Sequence, residues 1–186
     1  MLNIVGGRFR GAKLYSPKGG DARPTLGRTR EAIFNVLSCR YDLQEYRAVD
    51  LFAGSGALGL EAVSRGAESA VFVENNKQNC QVISKNIKKL DVGDCCQVFS
   101  ENVISWISRY NWSIDKNLFL IDPPYNTPLA QSVLESLGQM AGSLTSSLIV
   151  IEAHKSQVFK THKCFQSFQQ KKYGTTTIDF FEVLKQ

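Results

Sequence analysis

The stretch DLFAGSGALGLEA, residues 50–62, joins an apolar β-prone run to a helical pattern through three glycines in six residues. Gly54, Gly56 and Gly59 spell G-x-G-x-x-G, a spacing that lets backbone approach a ligand at a helix N-terminus. Such a turn functions where a strand ends and a helix begins, so it commits its surroundings to an α/β unit. The chain beyond it agrees. RAVDLFA, SAVFVE, CQVFS, NLFLIDPPY and SSLIVIEA read as strands. Between them lie the helical patterns ALGLEAVSRG, NNKQNCQVISKNIKKL, ENVISWISRY and PLAQSVLESLGQMAG. Regular alternation with apolar strand cores predicts a mostly parallel sheet covered by helices on both faces. The tail, from KCFQSFQQ to TTTIDFFEVL, breaks the alternation and predicts an antiparallel edge pair around a turn at Lys172-Tyr173-Gly174.

Ahead of this region, LNIV and RFRGAKLY flank Gly6-Gly7 and read as a hairpin. A Gly/Pro-rich loop, SPKGGDARPT, leads into RTREAIFNVLSCR, which places Ala32, Ile33, Val36 and Leu37 along one helical face. We therefore expect one domain over residues 1–186, with 1–27 as a basic hairpin and loop and 28–186 as the core. The charge is uneven. Arg8, Arg10, Lys13, Lys18, Arg23, Arg28 and Arg30 stand against a single acid, Asp21, between residues 8 and 30. With a net charge of +5, that local excess points to a polyanionic partner rather than a merely solvated face. No apolar run reaches the ~20 residues of a membrane span. The N-terminus has no signal-peptide core, so the chain is expected to be cytoplasmic. Five cysteines at 39, 80, 95, 96 and 164 make neither a disulfide framework nor a zinc pair, and His154 and His162 lack partners at ligand spacing. No metal is expected. Cys95 and Cys96 would point to opposite faces of a strand.

Asp50 decides which ligand the glycine turn suits. A dinucleotide would set its pyrophosphate on the helix N-terminus, next to this carboxylate, and the two would repel. S-adenosylmethionine carries no phosphate, and its ammonium is a partner for Asp50. Glu74, ending SAVFVE, suits a pair of ribose hydroxyls in either cofactor and so does not discriminate.

LFLIDPPY, residues 118–125, ends another strand with a carboxylate, two prolines and an aromatic ring. On the C-terminal edge of one sheet it would open onto the same crevice as the glycine turn. The exocyclic amine of a purine is a poor nucleophile because its lone pair is delocalised. Asp122 and the Pro123 carbonyl are acceptors for its hydrogens, turning the lone pair toward an electrophile. Pro123 and Pro124 bring no competing N–H, and Tyr125 offers a stacking face. No cysteine follows a proline in such a loop, which counts against attack on a pyrimidine ring through a covalent thiol adduct.

Together IVGGRFRGAKL, RPTLGRTREAIFNVL, DLFAGSGALGLEAVSRGA and DPPY closely resemble the bacterial RsmD family, the 16S rRNA (guanine(966)-N2)-methyltransferases. The resemblance runs in register over nearly the whole chain. It implies a Rossmann-like class I S-adenosylmethionine-dependent methyltransferase: a mostly parallel seven-stranded sheet, helices on both faces and an N-terminal β-hairpin. Asp50, Ala53, Gly54, Ser55 and Gly56 would line the cofactor and Glu74 would hold its ribose. Asn102 falls where relatives often carry an aspartate that meets the adenine amine. Asp122, Pro123, Pro124 and Tyr125 would form the catalytic loop. Arg23, Thr25, Arg28, Arg30 and Asn35 belong to the family's N-terminal motif, as RNA contacts or as cover for the site. Arg8, Arg10 and Lys13 would extend an RNA-binding face. The implied partner of this monomer is 16S rRNA in the small ribosomal subunit. The rivals are a DNA adenine-N6 methyltransferase, disfavoured by the short chain; an NAD-dependent oxidoreductase, disfavoured by Asp50 and D-P-P-Y; and a catalytically silent RNA-binding protein, disfavoured by the intact motifs.

Overall fold

Apolar runs of five to seven residues become the middle of a sheet in the computed structural model, which describes residues 2–17, 24–112, 116–124 and 127–185. Strands β1 (Arg47–Leu51), β2 (Ser69–Glu74), β3 (Cys96–Ser100), β4 (Asn117–Ile121) and β5 (Leu148–His154) run parallel. Strands β6 (Phe165–Tyr173) and β7 (Thr176–Val183) form the antiparallel pair, β7 lying against β5. The spatial order is β3-β2-β1-β4-β5-β7-β6, the seven-stranded arrangement expected. Successive connections step outward from β1 through β2 to β3, then cross back to β4. The strand order reverses between β1 and β4, and a crevice opens there beyond the strands' C-terminal ends.

The five helices are α1 (Pro24–Ser38), α2 (Ala57–Ser64), α3 (Lys77–Leu90), α4 (Val103–Arg109) and α5 (Leu129–Gln139). Because side chains alternate across a strand, each face of the sheet has its own core. Ile33, Phe34, Leu60 and Ile83 pack on Ala48, Phe72, Leu120 and Val150. Trp106, Ile107, Val133 and Leu137 pack on Val49, Leu51, Phe119 and Ile149. Among the described residues no helix is long and apolar enough to cross a membrane.

Two expectations need correction. Cys95 belongs to a short 3₁₀ turn and only Cys96 to β3, so the two do not alternate across one strand. The N-terminal arm does pair antiparallel on itself, through an isolated bridge of Asn3 with Lys13 and bonds from Ile4 N–H to the Ala12 carbonyl and from Leu14 N–H to the Leu2 carbonyl, both at 2.9 Å. Three further amides of the arm go to side chains of α2. Glu61, fully buried, accepts from the amides of Val5 at 2.8 Å and Gly6 at 2.7 Å, and Ser64 Oγ accepts from Phe9 N–H at 3.0 Å. The approach is tight: a Cβ on Gly7 would lie 1.9 Å from the Ser64 carbonyl oxygen, on a φ of 75°. Helix α1 also starts earlier than expected. Pro24 opens it, its fixed φ and missing N–H suiting a first helical position.

Glu61 is therefore the arm's anchor, and two cations complete it. Arg65 Nε donates to it at 2.8 Å and Arg30 Nε lies 3.2 Å away, while Arg30 Nη2 bonds the Asn3 carbonyl. Glu61→Ala leaves a buried guanidinium and two backbone donors without their acceptor. We expect a loss of about 3 kcal/mol or more in urea-denaturation stability, the scale for breaking a buried charge pair. A loss below about 1 kcal/mol would show that the arm is held by its apolar contacts instead.

Candidate active site

The glycine turn is pinned from three sides by polar side chains. From β1, Asp50 Oδ2 accepts the Gly59 amide at 2.8 Å. From the end of β2, Glu74 accepts Gly54 N–H at 2.9 Å and Asn76 N–H at 2.8 Å. From α3, Asn86 Nδ2 donates to the Ser55 carbonyl at 2.9 Å. Gly59 explains why the third glycine is needed: a Cβ there would sit 2.5 Å from a ring carbon of Phe72. Phe52 turns the chain out of β1 at a φ of 61°, a left-handed conformation costly for a bulky side chain and concentrated at functional sites.

A cavity of about 220 Å³ opens at the predicted crevice. Its wall joins Asp50, Phe52, Ala53, Gly54 and Ser55 to Asp122 from the end of β4 and Glu152 from β5. The glycine turn and the D-P-P segment thus face one space. The arm closes the other side: Leu2, Ser16 and Pro17 line the cavity, with Arg30 from α1. Asn86 fastens that segment by accepting Tyr15 N–H at 2.7 Å and donating to its carbonyl at 3.0 Å. One buried asparagine therefore joins the arm to the glycine turn.

The electrostatics are those of a cation site. Asp50 is 1% exposed, and burial pushes its carboxyl well above the usual carboxylate range. The Gly59 amide pulls the other way, while the negative charges of Asp122 and Glu74 push it further up. Among the described lining residues Arg30 is the only cation against three acids, and its charge is shared with Glu61.

The other expected site residues are dispersed. Gly56, Glu74 and Asn102 do not line this cavity; Asn102 caps α4, its Oδ1 accepting Ser105 N–H at 3.1 Å. Pro123 is buried and Pro124 exposed, directly after Asp122. Arg8, Arg10, Lys13, Arg28 and Asn35 are on the surface. Arg30 is 4% exposed and lines the cavity. Tyr125 and Arg23 lie outside the described residues, and Thr25 is placed only by its backbone in the first turn of α1. Asn86, Glu61 and Glu152 were missed, although signals existed. Asn86 interrupts the apolar stripe Ile83, Ile87, Leu90, and Glu61 is the one charge in ALGLEAVS. Glu152 lies near the C-terminal end of an apolar strand, as Asp50 does in β1, and Glu74 ends β2.

Strand order, switch-point glycine turn and acids on successive strand ends define a Rossmann-like class I methyltransferase fold. The solved structure of an RNA methyltransferase from Salinibacter ruber, in complex with S-adenosyl-L-homocysteine, has this fold at 14% identity, with a TM-score of 0.62 covering 93% of this chain and 95% of that one. The family is narrower: the chain belongs to the one described as Conserved hypothetical protein 95, matched over residues 2–182, which is the RsmD family of the sequence resemblance. Ribosomal RNA small subunit methyltransferase D of Escherichia coli (strain K12) is 33% identical over 153 residues, 82% of this chain and 75% of that protein. The solved yhhF structure from Escherichia coli is 30% identical, with a TM-score of 0.84 covering 100% of this chain and 99% of that one.

The raised Asp50 value has a measurable consequence in the ligand-free protein. A carboxyl whose folded pKa exceeds its unfolded value contributes stability that is fully present below about pH 4 and is lost as pH rises through the folded value. Asp50→Asn mimics the neutral form and keeps an oxygen for Gly59. We expect the variant to melt roughly 2–4 °C above the parent at pH 8, the gap closing toward pH 5. A variant less stable than the parent at pH 8 would show that the charged form is favoured inside.

Proposed function

We propose that this protein transfers a methyl group from S-adenosylmethionine to the exocyclic N2 amine of a guanine in 16S rRNA of the small ribosomal subunit. The observation that carries this reading is the shared cavity: the glycine turn with Asp50 forms one side and Asp122, leading into Pro123 and Pro124, the other. The residues present fit such a cofactor. An acid-lined cavity suits a cationic ligand and repels a dinucleotide pyrophosphate. The names of the curated relatives support small-subunit rRNA as the substrate.

When bound, S-adenosylmethionine supplies a methyl group already activated on a sulfonium, so the protein's task is alignment more than activation. Asp50, Ala53, Gly54 and Ser55 form the wall for its methionine end, and Glu74 has lone pairs left for ribose hydroxyls. Gly56 sets the entry into α2. Asn102, its Oδ1 taken by the cap, offers its amide N–H to an adenine ring nitrogen. Asp122 accepts one N2–H of the guanine and the Pro123 carbonyl the other, turning the lone pair toward the methyl carbon. Once the amine has taken the methyl group that the cofactor would supply, Asp122 would accept the surplus amine proton. Tyr125 stacks on the base, which must leave its helix to enter. Arg8, Arg10, Lys13, Arg28 and Asn35 are exposed to a phosphate backbone, Arg23 and Thr25 take the same role on the sequence resemblance alone, and the protein acts as a cytoplasmic monomer.

Mass-spectrometric mapping of 16S rRNA from cells lacking the gene tests the reading directly. One guanine should lose its N2 methyl group and regain it with the parent gene. Asp122→Asn should fail to restore it, because the amide turns a donor toward the substrate amine where charge develops. Calorimetry should show the variant binding S-adenosylmethionine nearly as the parent does. An unchanged 16S rRNA pattern, or methyl transfer to adenine in DNA, would overturn the assignment.

The exposed arm gives an independent test. Changing Arg8, Arg10 and Lys13 to glutamate should weaken RNA binding and flatten its dependence on salt, with S-adenosylmethionine affinity unchanged. Binding isotherms that overlay the parent's at every salt concentration would make the arm a wall of the cavity and nothing more.

A further inference from the structure

Helix α3 carries three lysines that the chemistry above does not use. Lys85, Lys88 and Lys89 stand three and four residues apart, and Gln81 and Gln78 precede them at the same spacing, so all five share one face. That face is one bank of a groove of about 940 Å³, and the arm supplies the other with Tyr15, Ser16 and Pro17. The described lining residues include these three cations and no acid. None of the three lysines is in an ion pair with a described residue. The helix dipole favours lysines in a last turn, but it gives no reason for the ring that faces them.

That ring is Tyr15, 52% exposed. Its position is nonetheless fixed, because the buried Asn86 holds both its N–H, at 2.7 Å, and its carbonyl, at 3.0 Å. Lys89 Nζ lies 4.9 Å from the ring centroid. An aromatic ring anchored by its backbone, left in solvent and flanked by cations is the arrangement by which proteins hold unpaired bases and their phosphates. The groove also adjoins the catalytic cavity, since Ser16 and Pro17 line both. A base seated in that cavity brings its neighbours along, and their phosphates are repelled by the acids there. The groove offers them cations instead.

We propose that the single-stranded RNA flanking the target base passes over Ser16 and Pro17 into this groove, where a neighbouring base stacks on Tyr15 and phosphates meet Lys85, Lys88 and Lys89. Gln78 and Gln81 serve sugar and phosphate oxygens, contacts that position a strand without reading its sequence. This rests on the function proposed above and adds the path of the strand. A duplex does not fit the role, because its bases are already stacked on one another and offer no free face to the ring.

A fluorescein-labelled oligouridylate of about 12 nucleotides contains no guanine, so it reads the groove apart from the reaction. The parent should bind it more tightly than it binds the same strand paired with oligoadenylate. Tyr15→Ala should weaken binding about fivefold or more, and Tyr15→Phe, which keeps the stacking face, less than about twofold. Replacing Lys85, Lys88 and Lys89 by alanine should lower the slope of log affinity against log salt by about 2. In small subunits, 4-thiouridine placed on either side of the methylated guanine should cross-link to Tyr15 or to α3. Parental oligouridylate binding by Tyr15→Ala and the lysine variant, or tighter binding of the duplex, would overturn the groove while the methyl mapping of 16S rRNA stands, so the two readings fail separately. Cross-links confined to Arg8, Arg10 or Arg28 would overturn the path. Loss of S-adenosylmethionine affinity in the lysine variant, with oligouridylate binding unchanged, would assign the groove to the cofactor and overturn the proposal as well.

Discussion

A single hydrogen bond, from the Gly59 amide to the buried Asp50 carboxylate, holds the end of β1 against the start of α2 at 2.8 Å. Every other part of the site is arranged around the problem this creates. A carboxylate with 1% exposure is costly to ionise, and one backbone donor does not offset its desolvation. The neighbouring strand ends add Asp122 and Glu74, which make ionisation harder still. A fold selected only for stability would avoid this concentration of acids at one crevice. It makes sense where a cation is to be bound: the ligand supplies the missing charge, and the apo protein bears the strain until it arrives.

The same crevice needs a cover, and the arm provides it, paired on itself and tied by its amides to the helices. Glu61 and Ser64 on α2 and Asn86 on α3 take up amides of Val5, Gly6, Phe9 and Tyr15. Those bonds set Leu2, Ser16 and Pro17 into the cavity wall. Asn86 also bonds the Ser55 carbonyl, so the cover and the glycine turn share one buried side chain. Displacing either disturbs the other. The arm is therefore part of the site in the mechanical sense, and its exposed cations are carried on a segment whose position the cavity fixes.

How far this was legible in the sequence follows from where the backbone bonds go. β2 was read residue for residue as SAVFVE, because a buried parallel strand bonds its neighbours and shows as an unbroken apolar run. The glycine turn and the D-P-P stop were legible for the same reason: each punctuates a periodic element. The arm's reversal on itself was legible, but its anchoring was not, because its amides also bond side chains 55 and 71 residues away, which no local pattern reports. Arg30 belongs to a run of cations and looked like its neighbours. Only the three-dimensional meeting with Glu61 distinguishes it from Arg28, which is exposed. Asn86 sits on the buried stripe of α3, so the anomaly was visible, but its two partners were not.

Charge is segregated by depth, and the segregation carries an argument about how a polyanion is handled. The cations Arg8, Arg10, Lys13 and Arg28 are exposed, whereas the described wall of the cavity holds Asp50, Asp122 and Glu152 against Arg30. On the proposed function, a nucleic acid strand is drawn to the exposed cations by its phosphates, at a range set by the Debye length of about 8 Å. The same phosphates are repelled from the acidic interior, where screening by salt is weak. What can enter is a neutral group rich in donors, and a nucleobase edge is that group. On that reading the exposed cations supply affinity without sequence information, and the interior admits a base while excluding the backbone that carries it. An apolar cavity of the same size would lack this sorting. A cationic one would trap phosphate, so the buried acids serve the choice of what is bound as well as the holding of a cationic ligand.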